Sequence, residues 1–190
     1  MTMQSVTERV AAAAAVNVSG TFYRHAAPRR DAFSGGAGGR WGANFPVIYL
    51  GRPEHSIIVE AYRHLVEEAG VPAEFVKPRI EYTVAVNVEH ILDLTDLEAV
   101  DAVGLTEADL RSDVDDYGAC QAVAAAAHQL KYHGVLALSA SGLGETLALF
   151  PERLSRAEMP VPTQQILWDH LPADPRRLRS LSTDTRSDSQ

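Results

Sequence analysis

The sequence has little cysteine and no long apolar run, and both absences narrow the class of protein. Cys120 is the only cysteine among 190 residues, so no disulfide can form within the chain, as is usual in a reducing compartment. No stretch reaches the roughly 20 apolar residues that span a bilayer. The apolar run at 11–16 follows Glu8 and Arg9, which indicates a helical arm instead of a secretory signal. We therefore predict a cytoplasmic protein that has no membrane segment.

The sequence also contains fewer basic than acidic residues. The chain has 17 Lys and Arg residues against 25 Asp and Glu residues, a formal net charge of −8. Because phosphate contacts along a nucleic acid need clustered cations, we expect no direct nucleic-acid binding. An arginine cluster around a small anion stays possible.

Several familiar site motifs are missing. The stretch 35–39 contains four glycines but does not match the Gly-x-Gly-x-x-Gly dinucleotide fingerprint, and no Walker lysine is present. Ser139 does not lie in a Gly-x-Ser-x-Gly hydrolase elbow. Glu60 and His64, at i and i+4, would supply half of a metal site, but no further ligand is recognisable nearby. We predict no metal.

What the sequence does contain is an ordinary globular composition, 46 % hydrophobic and 22 % charged, with enough length for one domain. We predict a single domain over 1–173, beginning with a helical arm. Residues 174–190 are rich in Ser, Thr and Arg and poor in apolar residues, so we predict a disordered tail there.

Periodicity and breaker residues predict interleaved helices and strands without a regular parallel βαβ rhythm. We interpret this order as an α+β fold. Helices are predicted at 5–16, 53–69, from Thr106 in a capping box, at 118–133 and near 163–170. Strands are predicted at 20–25, 47–50, 80–88, 135–138 and 146–150, with a glycine-rich loop over 26–43.

Glu60 is the first candidate for chemistry, because it shares a predicted helix face with apolar residues. The spacing puts Glu60, Ala61, His64 and Leu65 on one side of the helix. A carboxylate on such a face is costly unless it is paired or used. An ion pair with Arg63 or His64 is the structural alternative, and the residues alone leave both interpretations open.

The glycine loop and its arginines form a second candidate. Arg40 stands between glycines that let the backbone approach a ligand, and Arg24 lies on the strand just before the loop. Tyr23, Trp41 and Tyr49 are aromatic neighbours that could line a pocket for a flat, cationic ring such as nicotinamide. A flexible loop with solvated arginines and aromatic core residues is the alternative.

The order of these pieces is similar to that of the RES domain, a family named for an Arg, a Glu and a Ser. The resemblance covers roughly residues 20–150. Its first half is carried by Phe22-Tyr23-Arg24-His25, Asp31-Ala32-Phe33-Ser34-Gly35, Gly38-Gly39-Arg40-Trp41, Pro46-Val47-Ile48-Tyr49-Leu50 and Glu60. Its looser second half is carried by Ala119-Cys120-Gln121-Ala122, Leu138-Ser139-Ala140 and Leu147-Ala148-Leu149-Phe150. The chain departs from the family pattern at Gly42, where Asn is common, and at Leu138, where Pro is common.

The resemblance implies both a fold and a site. The fold would be similar to ADP-ribosyltransferase toxins, with a core of mixed β-sheets and flanking helices. The catalytic residues would be Glu60, Arg24, Tyr49 and Ser139. Four further residues would bind substrate, namely Arg40, His25, Tyr23 and Trp41.

The resemblance further implies a toxin of a toxin–antitoxin system, held inactive by an Xre-type, DNA-binding antitoxin in a hetero-oligomer, with a homodimer also possible. Its activity would be cleavage of the nicotinamide–ribose bond of NAD+ by phosphorolysis or hydrolysis. NAD+ would be a substrate, inorganic phosphate a possible co-substrate, and no cofactor would be tightly bound. Protein ADP-ribosylation, a non-catalytic nucleotide-binding module and a purely structural partner are the alternatives.

Overall fold

Six strands and five α-helices make up the part of the chain that the structure, a computed structural model, describes: residues 4–42, 44–112 and 116–177. The strands are β1 (Ala15–Ala26), β2 (Ile48–Arg52), β3 (Arg79–Leu94), β4 (Gly134–Leu138), β5 (Glu145–Leu149) and β6 (Val161–Trp168). The helices are α1 (Val6–Ala12), α2 (Glu54–Tyr62), α3 (Leu97–Ala102), α4 (Glu107–Arg111) and α5 (Gly118–Gln129). A π-helical turn, Arg63–Glu67, extends α2, and Ala73–Phe75 form a 3₁₀ turn. The predicted α+β class is confirmed.

The sheet closes on itself in a barrel-like ring. Its order is β1-β2-β5-β4-β3-β6, and β1 also pairs with β3. Strand β1 runs antiparallel to β3 along almost its whole length, from Ala15 opposite Leu92 to Ala26 opposite Ile80. One edge of β3 therefore belongs to β1, while the other edge is shared by β6 and β4. The β3–β4 pair is parallel, and the connection between them contains α3, α4 and α5.

Side chains of the ring alternate between two apolar layers, as the period of two in a strand requires. On β5, Leu147 and Leu149 face an inner cluster that includes Phe22. Ala148, together with Phe150 directly after the strand, faces the helices. The outer layer packs under α1 and α5, whose buried residues include Val10. Two buried faces explain the near-continuous apolar composition of β4 and β5.

Three helix predictions needed new boundaries; one of them, over 118–133, is α5, which ends at Gln129. The N-terminal helix ends at Ala12, not at residue 16, because Ala15 and Val16 already pair with β3. The helix predicted over 53–69 is α2 followed by the π-helical turn, in which the Glu68 amide donates to the Arg63 carbonyl at 2.8 Å. The predicted capping box at Thr106 and Asp109 is confirmed, with both reciprocal hydrogen bonds present.

The helix predicted near 163–170 is wrong, because this segment is strand β6. It pairs antiparallel with the first half of β3, from Val161 opposite Ala85 to Trp168 opposite Arg79. All residues of β6 except Trp168 are exposed. An exposed edge strand shows no apolar alternation, so its sequence lacked the signal that distinguishes a strand from a helix.

The segment after β6 returns to the end of α2. The carbonyl of Pro172 accepts a hydrogen bond from Tyr62 Oη at 2.9 Å, and Arg176 Nη2 lies 2.6 Å from Glu67 Oε1. Asp174 is 7 % exposed and also pairs with Arg176. The rest of the predicted disordered tail, 178–190, lies outside the described residues. No helix among the described residues is long and apolar enough to cross a membrane.

Candidate active site

A cavity of about 260 Å³ opens between β1, β2, helix α2 and the glycine loop. We call it the active-site cavity. Its walls contain the side chains of the loop, the strands and the helix that the sequence singled out. They include Arg24, His25, Gly39, Arg40, Trp41, Tyr49, Ser56, Glu60, Arg63, His64, Tyr117 and Leu138. The fold thus brings together residues that lie far apart along the chain.

Glu60 reaches this cavity from the last turn of α2, and both its carboxylate oxygens are bonded. Ser139 Oγ donates to Oε1 at 3.2 Å, and Arg63 Nη1 lies 3.5 Å from the same oxygen. His64 Nε2 lies 3.3 Å from Oε2. Burial acts to raise the pKa of Glu60, but the hydrogen bonds and the neighbouring positive charges outweigh it and hold that pKa below its ordinary value. The carboxylate is therefore ionised at neutral pH.

The π-helical turn places two of these partners, Arg63 and His64, beside Glu60. Widening the turn at Arg63 puts Arg63 and His64 at the cavity wall beside Glu60. His64 bridges two carboxylates, because its Nδ1 also lies 2.7 Å from Glu68 Oε2. The hydrogen bond to Glu60 raises the pKa of His64, with Glu68 adding to the effect and burial opposing it. π-Helical turns are frequent at functional sites.

Ser139 follows β4 directly and contacts the Glu60 carboxylate from the side opposite α2. It is 3 % exposed, and its amide donates to the Gly144 carbonyl at 2.9 Å, which closes the turn between β4 and β5. Its Oγ lies 2.7 Å from Ser141 Oγ as well as near Glu60. The pairing of β4 with β5 thereby fixes the hydroxyl against the carboxylate.

Arg24 and Tyr49 lie on the neighbouring strands β1 and β2. Arg24 Nη1 donates to the Tyr49 carbonyl at 2.7 Å, while its buried Nε has no partner. Tyr49 Oη accepts from the Trp41 amide at 2.9 Å and donates to the Gly38 carbonyl at 3.3 Å. Burial raises the pKa of Tyr49, so the phenol stays protonated and holds the glycine loop in place.

Arg40 lines the cavity, but most of its hydrogen-bonding capacity is used inside the protein. Its Nη1 donates to the Asp109 carbonyl at 2.6 Å and to Ser112 Oγ at 2.9 Å, and its Nη2 donates to the Ser112 carbonyl at 2.7 Å. The guanidinium also lies 4.4 Å from the centre of the Tyr117 ring. Arg40 therefore ties the glycine loop to the segment after α4.

The other residues predicted to bind substrate, His25, Trp41 and Tyr23, lie in three different environments. Burial, with Arg79 and Arg24 nearby, lowers the pKa of His25 to about 3, so this ring lines the cavity in its neutral form. Trp41 is 2 % exposed and belongs mainly to the core. Tyr23 packs against the apolar cluster of α2 and Trp168 and, among the described residues, is not part of the cavity wall.

Ser56 is a candidate that the sequence reasoning missed. It lies in the first turn of α2, is 1 % exposed, and lines the active-site cavity. Its Oγ has no hydrogen-bond partner among the described residues, which is uncommon for a buried hydroxyl. The only sequence signal was a serine shortly after Pro53 at a predicted helix start, and that pattern is typical of ordinary capping.

Residues 15–169 match the RES domain, and the chain belongs to this family. The chain is 34 % identical over 157 residues to the NAD(+) phosphorylase MbcT of Mycobacterium bovis and of Mycobacterium tuberculosis. The matched region covers 79 % of this chain and 83 % of each relative. A crystal structure of the M. tuberculosis MbcT–MbcA toxin–antitoxin complex matches with a TM-score of 0.77 and 33 % identity, over 92 % of this chain and 97 % of that one.

Proposed function

We propose that this protein is a toxin that cleaves the nicotinamide–ribose bond of NAD+, with inorganic phosphate as the acceptor. The observation that carries the proposal is the similarity to NAD(+) phosphorylase MbcT over most of both chains. The geometry supports it, because an ionised carboxylate and a neutral histidine share one cavity with Arg24. The buried Ser139 hydroxyl bonds to that carboxylate from behind the cavity wall.

Glu60 has the central role in this mechanism. Breaking the C–N bond lets nicotinamide leave with the electron pair as a neutral ring, and positive charge develops on the ribose. The Glu60 carboxylate stabilises that charge, and Ser139 holds the carboxylate in position through its 3.2 Å hydrogen bond. An oxygen of phosphate then bonds to the ribose carbon, giving ADP-ribose phosphorylated on that ribose.

The remaining groups bind and orient the dinucleotide. Arg24 faces the phosphates, and Tyr49 packs near the nicotinamide ribose while fixing the loop. The unpartnered Ser56 hydroxyl donates to a polar group of the substrate. Arg40 and Trp41 contribute to the wall and to loop order, and neutral His25 presents a flat surface without competing charge.

The proposal extends to fold type, partner and location. We place the ring of strands among ADP-ribosyltransferase-like folds, and the toxin–antitoxin complex of the structural relative supports a partner antitoxin, proposed to be of the Xre type. We also propose a homodimer within that hetero-oligomer, which the molecular mass of the complex in solution would test. Cytoplasmic NAD+ would be the substrate pool.

The decisive experiment is proton NMR of NAD+ incubated with the purified chain, with and without inorganic phosphate. We expect nicotinamide release that accelerates with phosphate and yields a phosphorylated ADP-ribose. Release that is insensitive to phosphate would show hydrolysis instead. With folded, antitoxin-free protein, the absence of release would refute the proposal and favour protein ADP-ribosylation or nucleotide binding alone.

The Glu60→Gln variant tests the catalytic group. It keeps the shape but removes the charge that stabilises the ribose cation, so we expect NAD+ binding to persist and turnover to fall by about 10²-fold or more. Glu98→Gln, an exposed carboxylate at the start of α3, is the matched control. Equal turnover in Glu60→Gln and Glu98→Gln would remove Glu60 from the mechanism.

A further inference from the structure

A second cavity, also of about 260 Å³, adjoins the active-site cavity on the far side of the glycine loop. The two share Arg24, His25, Gly39 and Tyr49 as a common wall. The rest of its lining comes from Ala26, Arg30, the glycine loop 36–38, Val47 and Arg79. We call it the arginine cavity, because three guanidinium groups and no carboxylate line it.

These three arginines have few partners of their own. In the part of the chain that the structure describes, none of the ion pairs with carboxylates includes Arg24, Arg30 or Arg79. The Nε of Arg24 is buried and has no partner within the described ranges, and Arg79 Nε donates to the neutral ring of His25, at 3.2 Å. Arg30 is exposed, and its Nη2 reaches across to Gly36.

Burial and the charges of neighbouring arginines lower the pKa values of Arg24 and Arg79. Burial lowers the pKa of Arg24, and the charges of Arg30 and Arg79 lower it further, with only partial opposition from Asp31. Burial and the charge of Arg30 likewise lower the pKa of Arg79. Three like charges around one opening raise the free energy of the empty site, and an anion bound among them would relieve that repulsion.

The chemistry of the opening selects a particular anion. Guanidinium groups match the oxygens of phosphate in geometry and charge, and several of them around one group favour a multiply charged oxyanion over a carboxylate. The glycine loop leaves room for such a group, since a side-chain carbon added at Gly38 would meet no atom within 4 Å.

We propose that the arginine cavity binds a phosphate oxyanion through Arg24, Arg30 and Arg79. This inference rests on the proposed function, and it adds Arg30 and Arg79 to Arg24 as residues that contact phosphate. The oxyanion is either the inorganic phosphate that attacks the ribose or the pyrophosphate of the dinucleotide. Both would lie next to the active-site cavity, across the shared wall.

The test is calorimetric titration of the full chain with inorganic phosphate and, separately, with ADP-ribose, which carries the pyrophosphate. The variants are Arg30→Gln and Arg79→Gln. Arg29→Gln is the matched control, because it removes the same charge from an exposed neighbour that does not line the cavity. We expect each lining variant to weaken the binding of one of the two ligands by about tenfold or more in Kd. This is the effect of losing a charge-assisted contact.

Each outcome has one interpretation. Weaker binding of inorganic phosphate alone assigns the cavity to the acceptor, and the KM for phosphate should rise while the KM for NAD+ does not. Weaker binding of ADP-ribose with unchanged phosphate binding assigns it to the pyrophosphate. If Arg30→Gln and Arg79→Gln bind both ligands as Arg29→Gln does, the site is refuted, even when NAD+ cleavage persists. If the wild-type chain binds phosphate but leaves NAD+ intact, the proposed function fails and the site stands.

Discussion

At the scale of single residues, the feature that most affects the behaviour of the site is the contact between His64 and Glu60. His64 bridges Glu60 and Glu68 with both ring nitrogens. The imidazole is thus a proton-dependent part of the structure that holds the Glu60 carboxylate. Its effect on stability should depend on pH in a defined direction.

The pKa of His64 is raised in the folded protein. Protonation of His64 therefore stabilises the fold, fully below the unfolded value near 6.5, and this contribution disappears as the pH rises through the folded pKa. We expect His64→Gln to lower the free energy of unfolding more at pH 5.5 than at pH 9, measured by urea denaturation. His55→Gln, an exposed histidine on the same helix, is the control. An equal loss at both pH values would contradict the assignment.

The individual residues also show where sequence reasoning stops. Glu60 was singled out by its place on an apolar helix face, and the family resemblance added Ser139. The structure joins the two by a direct hydrogen bond. Arg79 and Ser56 were not singled out, because neither belongs to a motif. Their importance depends on the pairing of β1 with β3 and on the packing of α2 against β2, which no local pattern encodes.

At the scale of elements, predictions succeeded where the local sequence pattern was strong and failed where an element depends on pairing with a distant segment. Strands β4 and β5 were found because their apolar runs are buried on both faces. Strand β6 was taken for a helix because it is exposed, and its partner β3 lies some 80 residues earlier in the chain. The length of β3 was underestimated for a related reason: its last four residues, from Ile91 to Leu94, pair with β4, which follows only after three helices.

The contact of α2 with β2 is the element-scale feature that places Glu60, and it depends on Gly51. A side-chain carbon at Gly51 would lie 2.7 Å from Ser56 Oγ and 2.9 Å from Ile57 Cγ2. We expect Gly51→Ala to push α2 away from the sheet and to destabilise the protein by about 1–3 kcal/mol, as overpacking does. Thermal unfolding would measure the loss.

Gly118→Ala provides the comparison for that experiment. Gly118 opens α5, and an added carbon there would meet no atom within 4 Å. Alanine favours a helix over glycine, so this variant should be as stable as the wild type or more so. A Gly51→Ala protein of equal stability would show that α2 is not held tightly against β2.

At the scale of the whole molecule, the segment after β6 ties the last part of the described chain to the active-site helix. Arg176 contacts Glu67 at the end of the π-helical turn, and Asp174 is buried beside it. Removal of residues 174–190 takes away these contacts, so we expect the melting temperature to fall. Each kcal/mol lost from the free energy of unfolding corresponds to a fall of roughly 2–4 °C. Removal of 178–190 alone should leave the melting temperature unchanged if the predicted disorder of these residues is correct. Equal melting temperatures of the two truncated chains would show that these contacts contribute nothing to stability.

The closed ring also has a consequence for the newly synthesised chain. The hydrogen bond between Glu60 and Ser139 joins residues 79 positions apart, and β2 has no second neighbour until β5 has been made. A ribosome that adds about 5–20 residues per second needs roughly 4–16 s to cover that separation. During this interval the nascent polypeptide carries the carboxylate but not the serine that positions it. Glu60 and Ser139 therefore meet only in a chain that has been synthesised past β5, and the proposed cleavage of NAD+ would begin only after that point.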